Sequence, residues 1–315
     1  MACFEENNPC DIPTGAVLGA LGELFPGIGA GDLRFLYHGT YNVFEVRGGY
    51  IFKFPDRSLR NERGLNLIRR ENSVLELLRP HVSVEVPRFE FVSSDPGLPF
   101  VGYRKIEGVS LSRCYEDADG GRRLSVARRL GRFLSELHSP EVYRAYTARW
   151  PSGFTPDSHR RYWESYHRRL GEEVYPRLTQ AQREWMDELF TGFLKDDGNF
   201  RFAPRVAHCD LDATNVLVDP SSFRVTGVID FEEARVWDPA ADLLFYGEGP
   251  EFRERLLSGY SLPTGPNLEQ RTRFLHDRAP LIYIQTGIDL GYPSMVDAGF
   301  EMLSIRMAGS SDRNC

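Results

Sequence analysis

The order of apolar and polar positions predicts a first third of the chain that is rich in strands. Residues 14–25 carry apolar side chains at helical spacing, and Pro26 with the glycines after it ends that helix. Short apolar runs joined by turn residues follow, which is typical of antiparallel strands. A second amphipathic helix covers 61–79 and is ended by Pro80. The predicted strands are residues 33–38, 41–46, 50–54, 86–92 and 99–106.

Beyond Gly108 the pattern becomes mainly helical. One apolar stripe predicts a helix over 122–138, and aromatic-rich helical segments fill a subdomain over about 140–200. Short β-type runs then lie at 205–211, 215–219 and 224–231, and helices close the chain. The sequence therefore predicts an α+β fold of two lobes. A small antiparallel β-rich lobe covers residues 1–104, and a larger, mainly helical lobe covers residues 105–315.

The composition is that of a globular protein, with 41% hydrophobic and 26% charged residues in a chain of 315. This length suits two domains. A net charge of -7 argues against a general nucleic-acid-binding surface. Residues 201–315 hold 17 acidic and 11 basic side chains, whereas residues 1–200 hold 28 and 27. The acidic excess suits a cationic partner, although a solvated acidic surface would have the same composition.

The cysteines and the N-terminal sequence indicate the cellular compartment. The five cysteines are scattered and form neither a disulfide framework nor a metal-binding pair. The acidic N-terminus lacks the basic region of a signal peptide, and the early apolar stretch 16–30 is interrupted by Glu23 and Pro26. We expect a cytoplasmic monomer with no membrane partner and no nucleic-acid partner.

The strongest chemical signal is the run HCDLDATN, from His208 to Asn215. It fits the kinase catalytic-loop pattern, in which Asp and Asn lie five positions apart. Phosphoryl transfer needs a carboxylate that orients the acceptor hydroxyl and accepts its proton, here Asp210, and an oxygen ligand for Mg²⁺, here Asn215. Because Asp and Asn also favour turns, the motif by itself leaves a purely structural turn as the alternative.

A second carboxylate follows at the end of an apolar strand. Asp230 comes twenty residues after Asp210 and is followed by Phe231, so it matches the metal-binding Asp of a D-F-G element. Asp238 is only eight positions after Asp230, and an activation segment would need a longer stretch, which favours a small-molecule acceptor over a protein substrate. We expect Asp238 and Asp242 to brace the catalytic loop.

Lysine is rare in this chain: Lys53, Lys105 and Lys195 are the only three among 38 basic residues. Lys53 lies inside an apolar strand, which indicates a need for a compact ammonium group, although a lysine at a strand edge could also extend to solvent. Glu71 lies on the apolar face of the next helix, where a carboxylate needs a counter-charge. Together they predict the Lys–Glu pair that positions nucleotide phosphates in kinases.

Two glycine-rich features give weaker signals. The cluster Gly27–Gly31 lacks the final glycine of a dinucleotide fingerprint and follows a helix, so we interpret it as a connector. No Gly-Lys pair exists, which excludes a P-loop. We expect the turn around Thr40, between the first two strands, to cover the phosphates.

The chain resembles the aminoglycoside phosphotransferase family, most of all its 2''-phosphotransferases. The resemblance covers about residues 30–260 and rests on the segments FKFP, RRENSVLELL, GYRKIEGVSL, LSELH, HCDLDATNVLVD, GVIDFEEARVWDPAADL and LLSGY. It implies a bilobal protein-kinase-like fold, ATP or GTP as phosphate donor and Mg²⁺ as cofactor. The acceptor would be a hydroxyl group of a small cationic antibiotic, and phosphorylation would give resistance.

The resemblance also implies site residues. Asp210 is the implied catalytic base, Asn215 and Asp230 the metal ligands, and Lys53 with Glu71 the phosphate-orienting pair. Arg104 to Ile106 correspond to the hinge that meets the purine through its backbone. Glu248 and Glu251 fall where related enzymes place carboxylates against substrate ammonium groups, although negative charge at a helix start is favoured in any case.

Two residues depart from the family pattern. Cys209 stands where glycine is common, and Glu232 follows Asp230-Phe231 where glycine is frequent. Because the same fold serves macrolide kinases and metabolic kinases acting on choline, homoserine or fructosamines, the resemblance supports the site chemistry better than the acceptor. A catalytically silent binding protein of this fold is the non-enzyme alternative, and the presence of all five catalytic-type residues argues against it.

Overall fold

The computed structural model describes residues 8–93 and 95–311, beginning with a helix and a five-stranded antiparallel sheet. The helix, α1, covers Thr14–Leu21 and ends earlier than predicted, because the chain turns at Gly22 and leaves Leu24 exposed. The strands are β1 Leu33–His38, β2 Tyr41–Val46, β3 Tyr50–Pro55, β4 Phe89–Val92 and β5 Val101–Arg104, in the spatial order β1-β2-β3-β5-β4. The predicted strands are therefore confirmed. Gly27–Gly31 leads into β1 through a short turn of helix, as expected of a connector.

Alternation along β2 and β3 directs side chains to opposite faces of this sheet. Phe52 and Phe54 pack with α1, whereas Val43 and Ile51 pack with the helix on the other face. That helix, α2, covers Glu62–Leu78 and begins at Asn61, whose side chain accepts hydrogen bonds from two backbone N–H groups of the first turn. Lys53 follows the same alternation and points to the α2 face.

The remainder of the chain is mainly helical, as predicted. The stripe of α4 is buried as expected, and Gly131 on this helix allows close packing, since a Cβ there would lie 2.1 Å from the backbone oxygen of Leu256. The helices are α3 Leu111–Cys114, α4 Gly120–Leu137, α5 Pro140–Arg149, α6 Pro156–Glu173, α7 Gln180–Lys195, α8 Pro250–Gly259, α9 Leu268–Asp277, α10 Ala279–Leu290 and α11 Pro293–Ser311.

Two small antiparallel sheets hold the loops that carry the predicted chemistry. Strand β8 lies between β6 and β9, and β7 pairs with β10. The segment 208–215 connects β7 to β8, and Asp230 lies just after β9. The sequence predicts β7, β8 and β9, but not β6 or β10. These strands are β6 Val109–Ser110, β7 Arg205–Ala207, β8 Val216–Val218, β9 Val225–Val228 and β10 Arg235–Trp237.

The structure thus has the α+β, kinase-like architecture that the sequence predicts, while the boundary at residue 104 stays a prediction. None of the helices within 8–93 and 95–311 combines the length and apolar composition that a membrane span requires. Three cysteines in those ranges, Cys10, Cys114 and Cys209, are free thiols. Cys3 and Cys315 lie outside the described residues.

Candidate active site

A buried lysine lies between carboxylates from distant parts of the chain. Lys53 Nζ is 2.7 Å from Asp230 Oδ1 and 3.5 Å from Glu71 Oε1, and it lies 4.3 Å from the ring centre of Tyr41. Lys53 and Glu71 are only 4% and 2% exposed. The structure therefore brings together the two residues that the sequence pairs, and adds Asp230 as the nearer partner.

The charges of this cluster depend on one another. Burial alone would lower the pKa of Lys53, but Asp230 and Glu71 raise it well above its ordinary value. Burial raises the pKa of Glu71 despite the opposing ammonium group. Burial also opposes ionisation of Asp230, yet the Lys53 charge and hydrogen bond bring the pKa of Asp230 below its usual range. The ammonium group therefore keeps Asp230 ionised in a buried position.

Glu232 is a further carboxyl group in this cleft, and sequence reasoning assigned it no role. Its Oε2 atom is buried and has no hydrogen-bond partner among the described residues. Burial and the nearby Asp230 carboxylate raise the pKa of Glu232 well above its usual value. The signal that could have revealed it is the acidic residue in the place of the frequent glycine.

The catalytic-loop segment is joined to the strand that ends at Asp230. Asp210 N donates to His208 Nδ1 at 3.3 Å, so the other ring nitrogen, Nε2, carries the proton and donates to Ile229 O at 2.9 Å. Asn215 Nδ2 donates to Asp210 O at 2.8 Å, and Ile229 N donates to Asn215 O at 3.0 Å. These bonds hold the exposed side chain of Asp210, the amide of Asn215 and the carboxylate of Asp230 in one region.

Asp242 fixes the start of this loop from behind. Its two oxygens accept the backbone N–H groups of His208, at 2.7 Å, and Cys209, at 2.8 Å. His138 Nε2 lies 2.9 Å from the same carboxylate, and Tyr260 contacts the other nitrogen of His138. The expectation that Asp242 braces the loop agrees with this geometry.

Asp238 differs from the expectation. It binds the guanidinium of Arg271 and the backbone N–H of Ala240 instead of the catalytic loop. The physical reason is that Arg271, itself fully buried, needs a carboxylate partner.

Two non-glycine residues next to the catalytic groups adopt left-handed backbone conformations. Cys209 has φ of 69° and Asp230 has φ of 70°. Such values favour glycine, which explains why the family pattern has glycine where this chain has Cys209.

The remaining residues that were predicted to contact the nucleotide lie along the sheet and its turns. Thr40 is exposed in the β1–β2 turn, and its carbonyl accepts a hydrogen bond from Asp56 N at 2.8 Å. The exposed Arg104 side chain stacks on Tyr50, with its guanidinium carbon 4.9 Å from the ring centre. Ile106 is buried against Gly227.

The structure separates the two acceptor-side glutamates. Glu248 is half-buried, and burial followed by the charge of Asp212, a residue of the catalytic-loop segment, raises its pKa. Tyr115 donates to Glu248 O at 2.5 Å. Glu251 is exposed in the first turn of α8, and within the described residues no hydrogen bond or ion pair joins it to the loop.

Comparison with known proteins agrees with this architecture. A model of the phosphotransferase enzyme family matches residues 32–275. The GDP complex of wild-type aminoglycoside 2'-phosphotransferase-IIIa is 23% identical, with a TM-score of 0.80 over 95% of this chain and 100% of that chain. The macrolide 2'-phosphotransferase MphH from Brachybacterium faecium is 24% identical, with a TM-score of 0.70 over 91% and 97%. A gentamicin complex of APH(2")-IIa is 20% identical, with a TM-score of 0.71 over 94% and 97%. At these identities the likeness shows a shared fold.

Proposed function

Because the chain belongs to the phosphotransferase enzyme family, we propose that its cleft transfers the γ-phosphate of ATP or GTP to a hydroxyl group of a small molecule. The observation that carries this proposal is the convergence of Asp210, Asn215 and Asp230 beside the buried Lys53–Glu71 pair. A merely structural turn would not require a buried ammonium–carboxylate cluster next to it.

The proposed roles follow from the positions of the side chains. The acceptor oxygen forms a bond to the γ-phosphorus while the bond from that phosphorus to the β–γ bridging oxygen breaks. The hydroxyl proton passes to Asp210, and the nucleoside diphosphate leaves. Lys53, oriented by Glu71, would hold the α- and β-phosphates. The turn at Thr40 would cover the phosphates, and the backbone of Arg104 and Ile106 would meet the purine.

The donor atoms available for a cation suit magnesium. Asn215 offers an amide oxygen and Asp230 a carboxylate oxygen, the hard ligands that Mg²⁺ prefers together with phosphate oxygens. The orphaned Oε2 of Glu232 adds a further oxygen in the same cleft. Bound there, the ion would neutralise charge on the transferring phosphoryl group. The residues present therefore fit the cofactor.

For the acceptor, we propose a cationic aminoglycoside. The acidic excess of residues 201–315 and the half-buried Glu248 carboxyl, whose pKa is raised by burial and by the Asp212 charge, support a subsite for an ammonium group. Glu251 would contribute only through the local negative charge. A macrolide acceptor is the second candidate, supported by the fold shared with MphH. Choline-, homoserine- or fructosamine-type acceptors are the metabolic alternative.

One assay tests the reaction and its class. Purified protein is incubated with Mg²⁺, ATP or GTP and a panel of kanamycin, gentamicin, erythromycin, choline and homoserine, and the phosphorylated product is detected by mass spectrometry. We expect Asp210→Ala to lower kcat by about 10²-fold or more, in line with general-base catalysis. Nucleotide binding without any turnover would favour the binding-protein alternative, and phosphorylation of erythromycin or choline alone would contradict the aminoglycoside assignment.

A further inference from the structure

Two arginines stack on neighbouring tryptophans beside the catalytic loop. The guanidinium carbon of Arg278 lies 4.8 Å from the ring centre of Trp163, and that of Arg235 lies 4.8 Å from Trp237. The two indole rings are themselves 6.1 Å apart. We call these four residues the guanidinium–indole cluster. It gathers side chains from α6, from β10 and from the junction of α9 and α10.

Arg278 is a cation without a counter-charge. Its Nε atom is buried and has no hydrogen-bond partner, and its guanidinium makes no ion pair within the part of the chain that the structure describes. Arg271 differs, because it is fully buried and binds Asp238 and Thr264 O. Arg278 is half-buried, and no acceptor among the described residues takes its guanidinium N–H groups, so they can donate to a bound molecule.

The other polar groups around Arg278 do not compensate it. Arg235 has only Glu233 as an ion-pair partner, two positions away on the chain. The hydroxyl of Tyr166 is also buried without a partner, and burial raises its pKa to about 12. The Arg278 guanidinium therefore has arginine and tyrosine side chains near it, and the buried hydroxyl of Tyr166 is without a partner among the described residues.

The cluster lies close to the start of the catalytic loop, where Arg235 on β10 pairs with Ala207 on β7. Cys209 packs against the apolar core that contains Trp163 and Trp237, and it immediately precedes Asp210. His208, which precedes Cys209 in the chain, contacts Ile229 O through its Nε2 atom and the ring of Phe231. Both residues are next to Asp230, the partner of Lys53. Cys209 and His208 therefore contact different parts of the molecule: Cys209 contacts the core that contains Trp163 and Trp237, and His208 contacts the segment that includes Ile229 and Phe231. Burial raises the pKa of Cys209 strongly, so its thiol is neutral and supplies no anion.

We propose that Arg278 and Arg235 form an oxygen-binding subsite of the acceptor pocket, which receives a part of the acceptor that carries no ammonium group. The inference rests on the proposed kinase function and narrows its acceptor. Guanidinium N–H groups donate to carboxylate oxygens and to sugar hydroxyls, but they repel ammonium groups. The pocket would then have two ends: an acidic end at Asp212 and Glu248 for an ammonium group, and a guanidinium end for oxygen groups.

Matched acceptors can show whether the oxygen bound at this subsite belongs to a hydroxyl group or to a carboxylate. Paromomycin has a hydroxyl group at one position where neomycin has an amino group, and kanamycin A differs from kanamycin B in the same way. Each pair therefore tests whether the subsite prefers a hydroxyl group to an ammonium group. Homoserine and gluconate test a carboxylate. Binding is followed by tryptophan fluorescence, to which Trp163 and Trp237 contribute two of the four tryptophans and which does not require turnover. KM and kcat are measured in parallel.

The variants are Arg278→Gln, Arg278→Lys and the exposed control Arg144→Gln. We expect Arg278→Gln to weaken binding of the preferred acceptor and raise its KM by about tenfold or more, with a smaller change in kcat. Arg278→Lys should rescue binding only in part, because it keeps the charge and loses the planar fork. The wild type should prefer the hydroxyl member of a pair, or a carboxylate, and Arg278→Gln should remove that preference.

A stability measurement separates this role from a structural one. Because the Arg278 guanidinium is unpaired in the free protein, Arg278→Gln should not lower the urea midpoint, whereas Arg271→Gln should lower it clearly. Unchanged acceptor binding in Arg278→Gln, or a preference of the wild type for the amino member of each pair, would overturn the subsite. Absence of phosphoryl transfer to every acceptor would instead overturn the proposed function, and the binding comparison would still decide the subsite.

Discussion

At the scale of single residues, Lys53 determines the charge state of the cleft. One ammonium group faces Asp230, Glu71 and Glu232; Lys53 and Glu71 are almost fully buried, and Asp230 and Glu232 are partly buried. Replacing Lys53 by Met should therefore cost about 3–5 kcal/mol of unfolding free energy, because it leaves buried carboxylates unpaired. Lys53→Arg should keep the fold but raise KM for the nucleotide, since a planar fork replaces a compact charge. Urea unfolding and nucleotide kinetics measure the two effects, with Lys195→Met as an exposed control. Wild-type kinetics in Lys53→Arg would refute the proposed role.

Cys209 offers a second test at the same scale, through its backbone. With φ of 69°, it occupies a conformation in which a Cβ is unfavourable and a β-branched side chain more so. Cys209→Gly should change the unfolding free energy by no more than about 1 kcal/mol, because relief of backbone strain offsets the lost packing of the sulfur atom. Cys209→Val should be less stable than Cys209→Gly by about 2 kcal/mol. Thermal or urea unfolding of both variants checks the order, and a Val variant as stable as the Gly variant would show that the loop relaxes.

At the scale of elements, Asp242 connects the helical part of the molecule to the catalytic loop. It accepts two loop N–H groups and contacts His138, and its own pKa is lowered, since these hydrogen bonds outweigh the effect of burial. Asp242→Ala should cost about 3–5 kcal/mol, as expected when a buried pair loses one partner. It should also lower kcat, because the backbone before Asp210 loses its support. Hydrogen exchange at His208 and Cys209 should become faster, whereas Asp297→Ala on the exposed face of α11 should change neither quantity.

The elements also show what a sequence can and cannot reveal. The strands of the main sheet and the Lys53–Glu71 pair follow from local alternation and helical spacing, so they are predictable. Strands β6 and β10 have two and three residues and exist only through pairing with distant partners. For the same reason the sequence indicated neither the Arg271 partner of Asp238 nor the meeting of Arg278 with Trp163. Each depends on packing between segments more than thirty residues apart.

At the scale of the whole molecule, a buried hydrogen-bond chain links the C-terminal helices to the nucleotide side. Tyr292, between α10 and α11, donates to Asp56 just after β3, and Asp56 lies 3.1 Å from His38 Nε2 at the end of β1. Pro9 O lies 2.7 Å from the other nitrogen of His38, so both ring nitrogens face acceptors. His38 precedes the turn that contains Thr40. These hydrogen bonds thus connect the β1–β2 turn that contains Thr40 to the hairpin formed by α10 and α11, so we expect the stability of the protein to depend on pH.

The sign of that dependence follows from two pKa shifts. Burial disfavours charge on His38, but the Asp56 and Pro9 hydrogen bonds raise its pKa above the ordinary value of about 6.5. Its contribution to stability is therefore complete below about pH 6.5 and is lost as pH rises through the raised folded value. Burial opposes ionisation of Asp56, yet hydrogen bonds from His38 and Tyr292 hold its pKa well below the ordinary value of about 3.9. Its contribution is present above that pH and is lost on acidification.

We therefore expect the unfolding free energy to be greatest between about pH 4 and 6.5 and to decrease toward pH 9. His38→Asn should remove most of that decrease, because no group then releases a proton at this place. The exposed control His81→Asn should retain the wild-type dependence. Tyr292→Phe should cost about 1.5–3 kcal/mol at pH 6, since Asp56 loses a hydrogen bond to a charged group, and less where water enters the gap. Urea unfolding at intervals from pH 4 to 9 measures all four proteins. An undiminished alkaline decrease in His38→Asn would show that other groups carry the pH dependence, and wild-type stability in Tyr292→Phe would show that the hairpin is not held through Asp56.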